Sequence, residues 1–130
     1  MMKRLLMGLM LLVTATAASA EWTVVAGGNN EFTLYLDMAT IRRNGNLVKL
    51  WDLMDYKTTQ EFSNHSFLST KQQTEYDCKE ERGRQLAYSF FSGQMGSGKN
   101  VNTNNDTGKW APIQPGSVGE AKWKIACGKK

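Results

Sequence analysis

Phe32, Leu34 and Leu36 alternate with Thr33, Tyr35 and Asp37. That is the period-two pattern of a strand with one buried face. Leu47 to Tyr56 reads as a second strand, with Val48, Leu50, Asp52 and Met54 on one face and Leu47, Lys49, Trp51 and Leu53 on the other. Apolar groups on both faces predict a central strand. Asn44-Gly45 between them is the best hairpin signal in the chain, because both residues tolerate a positive φ. Asp37 to Ile41 reads as a turn or a single helical turn. Upstream, Trp22 to Ala26 is strand-prone and Gly27-Gly28-Asn29-Asn30 ends it. Downstream, Lys57 to Asn64 reads as a polar connection and His65 to Cys78 as a long strand rich in polar residues. Glu80 to Gly83 turns the chain. Arg84 to Ser92 is another strand, with Leu86, Tyr88 and Phe90 on one face. Gly93 to Gly108 is loop-like, with a short strand around Val101.

The pattern changes period only at the end. Ser117 to Glu120 fits Ser-x-x-Glu, a capping box in which Ser accepts from the N3 amide and Glu reaches back to the N-cap amide. Val118, Ala121 and Ile125 then recur on one helical face. Lys122, Lys124, Lys129 and Lys130 stand where cations complement the negative end of a helix dipole. The predicted architecture is α+β: an antiparallel sheet with one C-terminal helix packed on a face. No internal repeat or Pro-rich linker divides it.

Residues 1–20 carry a different signal. Lys3 and Arg4 precede an apolar run from Leu5 to Val13, and Ala18-Ser19-Ala20 offers the small residues that a signal peptidase needs. The apolar run falls short of the ~20 residues that a spanning helix requires, so cleavage between Ala20 and Glu21 is expected rather than a retained membrane anchor. No Cys follows to accept the lipid of a bacterial lipoprotein. The expected mature protein, 21–130, is a single domain in the periplasm or secreted. Losing Lys3 and Arg4 lowers the formal charge from +4 to +2. So balanced a surface argues against nucleic acid, which needs a concentrated cationic face.

Export bears on Cys78 and Cys127. An exported pair is most simply one disulfide, here closing a loop that the chain-entropy treatment credits with roughly 4 kcal/mol. A redox or nucleophilic thiol is the alternative, but there is no Cys-x-x-Cys and no neighbouring His.

The remaining candidates for chemistry are weak. Gly93 to Lys99 matches a phosphate loop, G-x-x-x-x-G-K, but Asn100 stands where Ser or Thr should hold magnesium, and no helix pattern follows. Asn102, Asn104 and Asp106 have calcium-ligand spacing without a closing Glu. His65 is the only histidine, which excludes a multi-His zinc site, and no partner for it as a base can be placed. Glu80 and Glu81 are adjacent in a turn. Trp22, Trp51, Trp110 and Trp123 could line a ligand surface, though core packing is the default reading. Arg42-Arg43, Arg82 with Arg84, and the terminal lysines could meet acidic partners or simply be solvated. No catalytic, cofactor or metal residues are assigned, and ligand-binding residues stay unassigned.

Tyr35-Leu36-Asp37 with Ile41-Arg42 and Gly45; Val48-Lys-Leu-Trp51 leading to Asp55-Tyr56; Glu75-Tyr-Asp-Cys78; Arg82-x-Arg84; Met95-x-x-Gly98; Trp110-x-x-Ile113-x-Pro115-Gly-Ser117; and Trp123 with Cys127 occur in this order. The set resembles the surface-adhesin protein E family of Gram-negative bacteria. The resemblance implies a small antiparallel sheet with a C-terminal helix and one disulfide. It also implies an adhesin that binds host matrix and serum proteins, although the lipid-acceptor Cys that would display it is missing here. Two functions follow. One is a non-enzymatic binding protein with a protein partner, whose free sheet edge would also let two copies pair. The other is a small exported enzyme or enzyme inhibitor.

Overall fold

The computed structural model describes residues 21–27 and 31–129. The expected signal segment with its Ala20, most of the Gly27–Asn30 turn, and Lys130 lie outside the described residues. The strands are β1 (Trp22–Gly27), β2 (Phe32–Asn44), β3 (Leu47–Phe62), β4 (His65–Asp77), β5 (Arg82–Phe91), β6 (Asn100–Asn104) and the two-residue β7 (Ala111–Pro112). The helix α1 spans Val118–Cys127. β1 to β6 lie in chain order, each antiparallel to the next, and β7 pairs with β5. The α+β fold, the helix on one face and the disulfide are all as the sequence predicted.

Three strand readings need correction. Asp37 to Ile41 is not a separate turn: β2 runs through it, and residues 38–41 bulge opposite the single Leu50. The local chemistry is nonetheless turn-like. Asp37 Oδ1 accepts from the Ala39 amide, and Thr40 Oγ1 donates to the Asp37 carbonyl while accepting from the Trp51 amide. A side chain thus replaces a ladder bond, and the strand resumes at Arg42. Second, Lys57 to Asn64 is no polar connection. β3 continues to Phe62 past a bulge at 56–59, and only Ser63 and Asn64 turn the chain, both at positive φ (47° and 64°). Third, Leu86 falls in a bulge of β5, so Gln85, not Leu86, stands opposite Thr74.

Register places Leu34, Leu36, Val48, Leu50, Asp52 and Tyr76 on one face. There α1 covers Leu36, Val48, Leu50 and Tyr76 with Trp123, Ala126 and Cys127. Each fully buried aliphatic contributes about 1.5–3 kcal/mol. The helix begins as its sequence predicts, with Ser117 Oγ accepting from the Glu120 amide at 3.1 Å. The return half differs: Glu120 reaches the Gly116 amide at 3.5 Å, because the Ser117 amide is taken by the Gln114 carbonyl. Gly128 ends it in the left-handed region, where a side chain would be strained.

The face that α1 buries is not the predicted one. Trp123, Ala126 and Cys127 point inward with Lys122, while Val118, Ala121 and Ile125 are half-buried at the flank. Lys122 therefore does not serve the helix dipole. Its Nζ meets Asp52 Oδ2 at 3.1 Å inside the protein. Lys124 pairs with Glu120 one turn back.

Candidate functional site

Cys78 and Cys127 are joined, with Cα atoms 5.5 Å apart. The bond ties the end of β4 to the end of α1, and Trp123 Nε1 reinforces it by donating to the Asp77 carbonyl at 3.1 Å. It is a structural staple. Glu21, the first described residue, is exposed just before β1.

The structure scatters the other sequence candidates. His65 opens β4 opposite Phe62 at the hairpin tip, and no Ser, Asp or Glu side chain among the described residues hydrogen-bonds to it. Glu80 and Glu81 sit in the turn before β5, where the Glu80 amide donates to Asp77. Gly93 to Lys99 is a turn folded onto the sheet: Ser69 Oγ donates to the Gly93 carbonyl and accepts from the Gly96 amide, and Asp55 Oδ1 accepts from the Met95 amide. Strand β6, not a helix, follows Lys99. Asn104 Oδ1 accepts from the amide of Asp106. Arg42 and Arg43 bond to carbonyls of their own hairpin.

The tryptophans divide. Trp123 is core, but Trp22, Trp51 and Trp110 are only half-buried, so core packing is the wrong account of those three. Trp110 lies against the Arg82 and Arg84 guanidinium groups, at 4.7 and 4.4 Å from its ring centroid. Those arginines pair with Asp77 and Glu75 across the β4–β5 ladder.

The best-formed cleft lies on the helix side of the sheet. It encloses about 350 Å³. Tyr56, Phe62, Phe67, Tyr88 and Phe90 supply its walls, with Gln60, Glu61, Gln72 and Gln85 as polar rim. The rings form a continuous array: Phe67 stacks on Phe90 at 4.3 Å, Tyr88 stacks on Phe90 at 5.0 Å, and Phe62 and Tyr56 meet this stack edge-on at 5.9 Å. Phe32 continues it at 6.1 Å from Tyr56. Phe62 at the hairpin end is 54% exposed. In sequence only Tyr88 and Phe90 showed as a pair. The others come from three strands, and the β3 bulge brings them into register.

A polar seam separates this cleft from the core. Gln72 and Gln85 are bonded across β4 and β5 at 2.7 Å. Beside them Asp52 pairs with Lys122, and its Oδ1 is buried without a well-formed hydrogen bond among the described residues. Burial pushes the Asp52 carboxyl above the usual carboxylate range, only partly offset by Lys122 and by help from the Gln72 amide. Burial pulls Lys122 downward, but the attraction of Asp52 and the nearness of Tyr76 outweigh it and hold the ammonium above ordinary lysine. Among the described residues no cluster of His, Cys, Asp or Glu could hold a metal, and no helix is long and apolar enough to cross a membrane.

The chain resembles solved structures of Haemophilus influenzae protein E. Crystal form II superposes with a TM-score of 0.66 at 13% identity, covering 87% of this chain and 91% of the other. A second structure of that protein gives 0.63 at 13% identity, over 87% and 88%. The protein from the non-typeable organism gives 0.62 at 13% identity, over 87% and 79%. At that identity the likeness shows the fold. No curated protein matches the sequence. Residues 22–128 match the surface-adhesin protein E family, from the first strand through the glycine that caps the helix, and the chain belongs to that family.

Proposed function

We propose that this is an exported, non-enzymatic binding protein, cleaved between Ala20 and Glu21, that holds a protein partner in the aromatic cleft at the open end of its sheet. The observation that carries the reading is the array of stacked rings around Phe90, partly open to solvent and rimmed by amides. Large aromatics clustered at the surface are characteristic of contact sites, where they bury much area at small entropic cost. Membership of the surface-adhesin protein E family supports adhesion, and the partner class we propose is a host matrix protein. The scattered positions of His65, Glu80 and Glu81 favour binding over the enzyme reading.

The test expresses the whole chain, whose exported form should have an intact mass beginning at Glu21. On a panel of immobilised host matrix proteins, Phe62→Asp and Phe90→Ala should each weaken binding about tenfold or more, the scale of a hot-spot residue. His65→Ala should bind as the parent does. Groove variants that bind normally would remove the cleft from the account. A hydrolytic activity abolished by His65→Ala would replace binding with catalysis.

A further inference from the structure

The opposite face of the sheet carries a second, chemically different hollow. Trp22, Asp37 and Trp51 stand directly opposite one another on β1, β2 and β3. Two strand spacings put the tryptophan backbones about 10 Å apart, with the aspartate between them. With Thr40 and Lys71 they line a depression of about 260 Å³. Thr40 is occupied by backbone bonds. Asp37 Oδ1 is held by the Ala39 amide, while Oδ2 carries no hydrogen bond among the described residues. Lys71 crosses the end of the hollow, its Nζ 5.9 Å from the Trp22 centroid and 5.2 Å from that of Phe91. It forms no ion pair among the described residues. The Gly93–Lys99 turn fixes its course: a Cβ on Gly96 would lie 2.4 Å from Lys71 Cε.

We propose that this hollow binds an acidic sugar, a pyranose bearing a carboxylate, independently of the aromatic cleft. Two half-buried indoles present flat apolar walls to the C–H faces of a ring. Asp37 Oδ2 accepts from a ring hydroxyl. Lys71 receives the sugar carboxylate as a charge-assisted bond. The competing occupants fit less well. A purely aromatic ligand would strip water from Lys71 and leave Asp37 Oδ2 without a donor. A quaternary ammonium would meet the Lys71 charge. A bare phosphate would face Asp37 and leave the indoles unused.

Hyaluronan tetrasaccharide, which alternates glucuronate with N-acetylglucosamine, and the neutral tetra-N-acetylchitotetraose are the probes, titrated into the exported protein while the indole N–H resonances are followed by NMR. The expected result is saturable movement of the Trp22 and Trp51 signals, with the acidic sugar bound at least about tenfold more tightly than the neutral one. Lys71→Gln should abolish that preference, and Trp51→Ala should abolish binding of both. Lys71→Gln decides the matter even if Trp51→Ala misfolds, because its side chain supports no ion pair. Phe62→Asp, in the other cleft, should leave sugar binding unchanged, so the two sites fail separately. No saturable shift, equal affinity for the two sugars, or an unchanged preference in Lys71→Gln would overturn the proposal.

Discussion

Asp77 shows how much one side chain can organise. Its Oδ1 accepts from the Lys79 and Glu80 amides and its Oδ2 from Arg82 Nε, each at 3.1 Å. The Glu80 amide above all, against some loss of hydration and with help from Arg82 and Lys79, holds this carboxyl below the usual range. A lowered acid contributes stability above its unfolded value, about 3.9, and loses it as the pH falls through the folded value. Asp77→Asn should therefore be less stable than the parent at pH 7 in urea, with the gap narrowing as the pH drops below about 4. A gap that does not change with pH would show the carboxylate charge to be idle. Asp77 was legible only as part of the Glu-Tyr-Asp-Cys string. Cys78, Cys127 and Ser117 were easier, because compartment logic and a four-residue cap need no distant information. Lys122 was misread for the opposite reason. A lysine late in a helix looks like a solvated charge, and its partner Asp52 lies 70 residues away.

At the scale of elements, that pair joins α1 to the middle of the sheet. Lys122→Met should cost about 3–5 kcal/mol, because it strands a buried carboxylate. Asp52→Leu combined with Lys122→Met should recover most of the loss, since an apolar pair of similar volume removes both desolvation penalties. Denaturant unfolding of the three proteins checks this, and a double variant no better than the single would refute it. The sign of the Asp52 shift agrees. A raised acid opposes folding more as the pH rises through its folded value, and Lys122 beside it offsets part of that penalty. The central strands and the hairpin at Asn44-Gly45 were legible from alternation and turn chemistry. The far half of β3 was not. Lys57-Thr-Thr-Gln-Glu has no apolar alternation, and the Ser63-Asn64 turn lacks the glycine that usually marks a tight hairpin. The aromatic cleft depends on that half-strand, so it stayed hidden with it.

For the whole molecule, the disulfide joins the fourth strand to the last turn of the helix across 49 residues of sequence. Reduction should lower stability by roughly 4 kcal/mol on the chain-entropy treatment. Denaturant unfolding with and without reductant measures this, and an unchanged midpoint would mean that the packing of Trp123 and Ala126 and the Lys122–Asp52 pair hold the helix without it. The overall architecture was readable because a short chain with two cysteines, a run of strand patterns and one helical pattern after them leaves few arrangements. Which sheet face carries rings and which carries the Trp–Asp–Trp row was not, since register across bulges decides it. The same bond has a consequence for survival among proteases. Everything from Lys79 to Ala126, including the exposed stretch Asn105–Lys109, lies inside a covalent ring. A protease that cuts once anywhere in that ring opens it without releasing a fragment, so a nicked molecule keeps its sheet, helix and both hollows on one covalent body until a reductant reaches the sulfurs.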